Sequence, residues 1–298
     1  MRFFKIIRLN NLLLIALVQV LVTFYLLPLF IIESRLTTIE FILIVLATLF
    51  ITVGGYIVND LNDIEIDKIN KPDRVWIPLL ISKKNVFVVY ILTTVIGVLL
   101  AGFFSYLIDD YYTILFFLAP IILLYLYAKK LKKIFLIGNV LVSLLSAYSI
   151  FLISYFEKVL VYNPLVYKLQ LSEVIFGLLF FAFSMSLLRE IVKDNEDSIG
   201  DRAMGVQSIY IKYGEKTTHF FIEAVGLIII SVLLLIIAYL YKEQVLFVAY
   251  LFLAVVLSMV LFIKQLKKVK TLYDYNRLST LLKLIMFIGI LAVFMIQA

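Results

Sequence analysis

The chain has 298 residues, 64% of them hydrophobic, and a formal net charge of +7, with a mean hydropathy of +1.10. A soluble domain is nearer half apolar, so this composition is that of an integral membrane protein. The absence of cysteine and the presence of a single histidine, His219, exclude disulfides, thiolate zinc sites, thiol nucleophiles and any multi-histidine metal centre.

Apolar runs of about 17–25 residues are long enough to cross a bilayer. In chain order they predict spans at 9–32, 38–59, 86–108, 112–128, 134–156, 173–192, 217–240, 245–263 and 279–297. The fold class expected is therefore all-α, a polytopic bundle of nine helices in a single domain over 1–298. The basic N-terminal segment lacks a small-residue cleavage site and is read as leading into a retained first helix. With the N-terminus in the cytoplasm, every basic residue except Arg35, Lys158, Lys168 and Lys242 falls on the cytoplasmic side, 23 of 27. That is the positive-inside bias. The net charge then reports topology and contact with anionic lipid, and implies no nucleic acid.

The second span ends in Asn59-Asp60-Leu61-Asn62-Asp63-Ile64-Glu65-Ile66-Asp67. Helical spacing of +3 and +4 predicts that Asp60, Asp63 and Asp67 form a column on one face. A charged aspartate at the bilayer centre costs about 2.5–3.5 kcal/mol on insertion scales, so three together belong at a helix mouth or a wet cavity. The sixth span ends in the same pattern: Asp194, Asp197 and Asp201 each lie 134 positions after their counterparts. Both sets fall on the same side of the membrane, four spans apart, which suggests a pseudo-repeat of helices 1–4 and 5–8. Carboxylate oxygens suit hard cations, Mg²⁺ above all, and the two sets read as facing halves of one metal–diphosphate site. The connections 60–85 and 193–216 carry most of the remaining polar chemistry.

These residues resemble the UbiA superfamily of intramembrane prenyltransferases. Asn59-Asp60-x-x-Asp63-x-x-x-Asp67-x-x-Asn70-x-Pro72-x-Arg74 is similar to its first aspartate-rich motif, and Asp194-x-x-Asp197-x-x-x-Asp201 to its second. Arg8-x-x-Asn11 is similar to the motif that opens the family's first helix. Tyr125-x-Tyr127-x-Lys129-Lys130-Leu131-Lys132, followed by Gly138-Asn139, resembles the stretch between helices 4 and 5. The segment Arg189-Glu190-Ile191-Val192-Lys193-Asp194 looks most like that of members acting on geranylgeranylglyceryl phosphate. Two departures stand out: Arg74-Val75-Trp76-Ile77-Pro78 replaces a common Arg-Pro-Leu-Pro-Ser-Gly, and Tyr210 stands where proline is common.

The resemblance implies Mg²⁺-dependent transfer of a prenyl group from a polyprenyl diphosphate to a membrane-associated acceptor. Magnesium neutralises and templates the leaving diphosphate. Because it takes one or two carboxylates with waters and phosphates, about two ions are expected, one on Asp60, Asp63 and Asp67 and one on Asp194, Asp197 and Asp201. Asn11, Asn59, Arg74, Tyr125, Lys129, Asn139, Lys193, Arg202 and Lys212 are expected to bind substrate or diphosphate. An allylic cation would be sheltered by aromatic faces such as Tyr125, Tyr127, Phe180, Phe181 and Phe183. The acceptor implied is a prenylglyceryl phosphate; an aromatic quinone precursor and haem are the alternatives. A transporter for divalent cations or protons is a reading of a different class, which would place the acids near the midplane. The expected setting is a prokaryotic plasma membrane with the site facing the cytoplasm and no obligate protein partner.

Overall fold

The computed structural model describes residues 7–30, 32–70, 77, 81–159, 165–166 and 169–297. Among the described residues, nine helices are long and apolar enough to span a membrane. They are α1 (Leu9–Leu29), α2 (Thr38–Asn62), α4 (Lys83–Leu107), α5 (Tyr111–Lys129), α6 (Ile137–Phe156), α7 (Leu171–Glu196), α9 (Ile209–Leu240), α10 (Val245–Leu266) and α11 (Leu272–Met295). Two short helices, α3 (Ile64–Asn70) and α8 (Ser198–Ala203), follow the two aspartate-bearing spans. A two-residue antiparallel pair, β1 (Leu165–Val166) and β2 (Leu169–Gln170), precedes α7.

The helices begin where side chains satisfy their orphan N–H groups. The Thr37 hydroxyl accepts from Glu40 N–H while Glu40 accepts from Thr37 N–H, and Thr271 with Asp274 repeats this capping box. Ser82 and Ser208 cap α4 and α9. Proline inside α5 is tolerated for a specific reason. Pro120 cannot donate to the carbonyl of Phe116, and the Tyr148 hydroxyl donates to that oxygen instead (2.8 Å).

The spans pack in antiparallel order, so helix ends collect at two levels. At one end, called here the near end, lie the start of α1, the ends of α2 and α7, and the starts of α6 and α11. At the far end the buried carboxylate of Glu157 accepts from Ser34 Oγ (2.8 Å) and Arg35 N–H (2.8 Å). Gln244 and Gln297 exchange two hydrogen bonds there, and the Tyr25 hydroxyl donates to the carbonyl of Phe294.

Several boundaries differ from those expected. The connection predicted over 193–216 is largely helical: α7 runs on to Glu196, α8 follows, and α9 starts at Ile209. Gly214 interrupts α9 at φ 80° and ψ 178°, a backbone state glycine reaches without penalty. The last span begins at Leu272, seven residues before 279, so Lys283 lies eleven residues into it rather than four. Arg189 lies seven residues from the end of α7 rather than three from the end of the expected span. Hydrophobic windows miss such extensions because polar end turns lower the average.

Candidate active site

Each aspartate set is split between a long helix and a short one. Asp60 lies on the last turns of α2, Asp63 ends that helix at φ −97° and ψ 3°, and Asp67 sits on α3. Asp194, Asp197 (φ −90°, ψ 5°) and Asp201 repeat this division over α7 and α8. The single-helix column expected from spacing is thus broken at its middle member in both copies. The backbone bonds repeat as well: Asp63 N–H donates to Asn59 and Asp197 N–H to Lys193, then Asp67 N–H to Asp63 and Asp201 N–H to Asp197.

Asn70 joins the two motifs. Its Nδ2 donates to the carbonyl of Asp197 (2.8 Å), and its Oδ1 accepts from Gly200 N–H (2.7 Å). A Cβ at Gly200 would stand 2.7 Å from both of those side-chain atoms, so α8 approaches α3 this closely only because residue 200 has no side chain. The two acidic sets therefore occupy one end of the bundle and share one wall. They sit at helix termini rather than mid-span, which removes the geometry a transporter reading needs.

The carboxylates are held by bases and amides from elsewhere in the chain. Arg8 donates to Asp60 (2.8 Å), and its guanidinium lies 4.7 Å from the Tyr56 ring centroid. Burial works against the Arg8 charge, yet Asp60 and the surrounding acids hold the guanidinium above its ordinary proton affinity. Arg8 adopts a left-handed backbone (φ 52°, ψ 49°) immediately before α1, a conformation that costs a non-glycine residue about 1–3 kcal/mol unless its surroundings fix it. Asp63 accepts from Asn59 (2.6 Å) and pairs with Lys132, which also reaches Asn59 (3.3 Å). Asn139 donates to Asp194 (2.8 Å). Lys193 approaches Asp197 at 3.9 Å. Asn59–Asp63 and Lys193–Asp197 are thus equivalent i,i+4 pairs on the two motifs. Gly138 makes the approach of α6 possible, since a Cβ there would meet Lys132 Cα at 2.8 Å.

Of the expected substrate residues, Asn11 donates to Tyr56 (3.3 Å), beside the Arg8–Asp60 pair. Asn59, Asn139 and Lys193 contact the motifs directly. Lys129 instead lies over Tyr125, 4.7 Å from the ring centroid, and both residues are exposed. Lys132 is the basic residue of that stretch that reaches the first motif. Tyr127 is the inward-facing tyrosine, within electrostatic reach of Glu190, Asp194, Asp63 and Arg8. Lys212 packs over Phe135 (4.9 Å) and Tyr213 (5.3 Å). Arg202 is exposed. Phe181 packs against Gly289 deep in the bundle rather than at the helix end. Arg74 lies outside the described residues. Glu190, Lys132, Arg8 and Asn70 escaped the sequence reading of individual roles. Each stands inside or beside a motif, but for Lys132, Arg8 and Asn70 the partner is distant in sequence, whereas Glu190 pairs with its neighbour Arg189.

Among the described residues, no three His, Cys, Asp or Glu side chains gather closely enough to hold a metal ion. The donors still fit Mg²⁺. All are oxygens, and that ion uses one or two carboxylates with substrate phosphates completing its shell.

With this geometry in hand, comparison with known proteins is decisive at the family level. The model of the UbiA prenyltransferase family matches residues 20–291. The chain belongs to that family. A digeranylgeranylglyceryl phosphate synthase from Sulfurisphaera tokodaii is 34% identical over 204 residues, 66% of this chain and 66% of that protein. The alignment thus falls just short of two thirds of the relative's length. A solved structure concerning digeranylgeranylglyceryl phosphate synthase in membranes superposes with a TM-score of 0.61 at 25% identity, over 98% of this chain and 96% of that one. A UbiA homolog from Archaeoglobus fulgidus bound to GPP and Mg²⁺ shares the fold, with a TM-score of 0.61 at 13% identity over 99% and 100% of the two chains.

Proposed function

We propose that this UbiA-family membrane protein transfers a geranylgeranyl group from its diphosphate to the free hydroxyl of a geranylgeranylglyceryl phosphate. The allylic C–O bond breaks and pyrophosphate departs with the electron pair. The acceptor oxygen forms a new ether bond to that carbon and its proton is released. The observation that carries this reading is the bridge from Asn70 to Asp197 and Gly200, which joins both acidic motifs into one site. The name of the Sulfurisphaera relative supports the acceptor.

Asp60, Asp63, Asp67, Asp194, Asp197 and Asp201 would hold Mg²⁺, no more than two from one motif on any ion. Magnesium bound there supplies positive charge to the leaving diphosphate and orients it. Lys132, Arg8 and Lys193, which neutralise the carboxylates in the structure, are the bases placed to turn toward phosphate oxygens, arginine as a fork and lysine as a point charge. Asn139 fixes Asp194, and Asn59 fixes Asp63. Tyr127 offers a ring face at the wall of the site for a developing allylic cation.

The repeated hydrogen bonds at the two motifs support the pseudo-repeat of the single domain, and the placement of basic residues supports a near end that faces the cytoplasm at a prokaryotic plasma membrane. The test is an assay in membranes with radiolabelled geranylgeranyl diphosphate, Mg²⁺ and a panel of acceptors, including aromatic quinone precursors. Product is expected with the glyceryl phosphate acceptor, is lost in Asp63→Ala and Asp197→Ala, and disappears reversibly with EDTA. Full activity in either variant would remove the roles assigned to the motifs.

A further inference from the structure

Lys283 lies eleven residues inside α11, about 16 Å from the start of that helix at 1.5 Å per residue. An ionisable side chain so far into a span is costly and calls for a partner. Two contacts fix what it faces. Near the start of α11, Asn276 donates to Glu196 of α7 (2.7 Å). Lower down, Gly289 lies against Phe181, where a Cβ would come within 2.3 Å of the ring. The two helices run antiparallel between these crossings, so Lys283, midway between them on α11, falls at the level of Leu188 and Arg189 on α7.

The surroundings are rich in positive charge. Arg189, Lys193 and Arg8 all act electrostatically on Lys283, with Glu190 opposing them. Arg8 is committed to Asp60 and Lys193 leans toward Asp197. Arg189 donates from Nη1 to Glu190 (2.7 Å), while its buried Nε has no hydrogen-bond partner among the described residues. Lys283 has no ion-pair partner among them either. Two cationic side chains therefore stand beneath the aspartate motifs on facing helices, with Arg189 Nε and the Lys283 ammonium unpaired among the described residues.

We propose that Arg189 and Lys283 form a second anion subsite, which binds the phosphate monoester of the acceptor. The inference rests on the function proposed above and adds the place where that acceptor is recognised. Arg189 is eight residues from Asp197 along α7, about 12 Å on a helix. That spacing suits the chemistry, because the reacting carbon and the glycerol hydroxyl are each a few bonds from their own phosphate and must meet between the two anions. Glu190 holds the guanidinium by one edge and leaves Nε and the lysine ammonium for phosphate oxygens.

The test uses the full chain in membranes and measures KM separately for donor and acceptor in Lys283→Met, Lys283→Gln and Lys283→Arg. The acceptors are the glyceryl phosphate lipid and the same ether lacking phosphate. Loss of one charge-assisted contact should raise KM for the phosphate acceptor about tenfold or more. KM for geranylgeranyl diphosphate should stay within about twofold. Preference for the phosphate-bearing acceptor should fall by the same factor in Lys283→Met and Lys283→Gln and return in Lys283→Arg. Thermal stabilisation of the detergent-solubilised wild type by that lipid, but not by inorganic phosphate alone, should weaken in Lys283→Gln. A donor KM that rises in step would show that these cations serve the diphosphate and overturn the proposal, as would an unchanged acceptor KM. Wild type that turns over other acceptors but not the glyceryl phosphate lipid would instead overturn the proposed function itself.

Discussion

Replacing Asn70 by alanine removes the bridge between the two aspartate-bearing segments while leaving every membrane span intact. Two hydrogen bonds are lost, at 2.8 and 2.7 Å. Each contributes about 0.5–1.5 kcal/mol net, and the buried Gly200 N–H left unmet adds about 1–3 kcal/mol. Water reaching the half-buried side of α3 recovers part of this, so about 2 kcal/mol is the expected loss of alignment. Expressed in the transition state, that is about 30-fold in kcat/KM. Gly200→Ala attacks the same contact from the other side, since its Cβ would stand 2.7 Å from both polar atoms of Asn70. The double variant supplies the decisive measurement. Once Asn70 is truncated the alanine at 200 has room, so the two losses should be strongly non-additive, with the double variant close to Asn70→Ala alone. Additive losses, or an Asn70→Ala enzyme within about twofold of wild type, would show that the two motifs are aligned by something other than this side chain.

Other substitutions separate chemistry from scaffolding. Lys132→Met leaves Asp63 with Asn59 as its neutral partner and should lower kcat/KM for the prenyl diphosphate by about tenfold to a hundredfold, read in the radiolabel assay, whereas Lys129→Met should have little effect. Gly138→Ala forces a Cβ to within 2.8 Å of Lys132 Cα, a backbone atom that cannot swing aside. It should cost about 1–3 kcal/mol of stability, seen as a lower Tm in detergent, together with a loss of activity. Glu157→Ala removes the acceptor of two hydrogen bonds at the far end and should lower stability by about 1–3 kcal/mol while KM for both substrates stays at the wild-type value.

Much of this site was legible in the sequence because its key residues come in register. The offset of 134 between the acidic triplets marked two equivalent helix ends, and the structure repeats even their backbone bonds. What spacing could not show was the interruption at Asp63 and Asp197, where a local cap overrides the helical period. Nor could it show that Lys132, and not the expected Lys129, is the lysine of its stretch that reaches the first motif. That depends on how the chain turns after α5 and how closely Gly138 brings α6 to it. Tyr125 and Tyr127 differ by two positions and hence by roughly half a turn, so one faces outward and the other the site. Arg8, Arg189 and Lys283 read from sequence as topology signals, because a charge near the end of an apolar run looks the same whether it points to water or into the bundle.

The ties among Glu157, Ser34 and Arg35, and between Gln244 and Gln297, have a mechanical consequence. They join the segment after α1 to the end of α6, and the end of α9 to the end of α11, while Asn70, Asn139 and Asn276 make the equivalent cross-ties at the aspartate end. The bundle is thus laced across its helices at both ends, and its middle is held to a far greater degree by apolar packing.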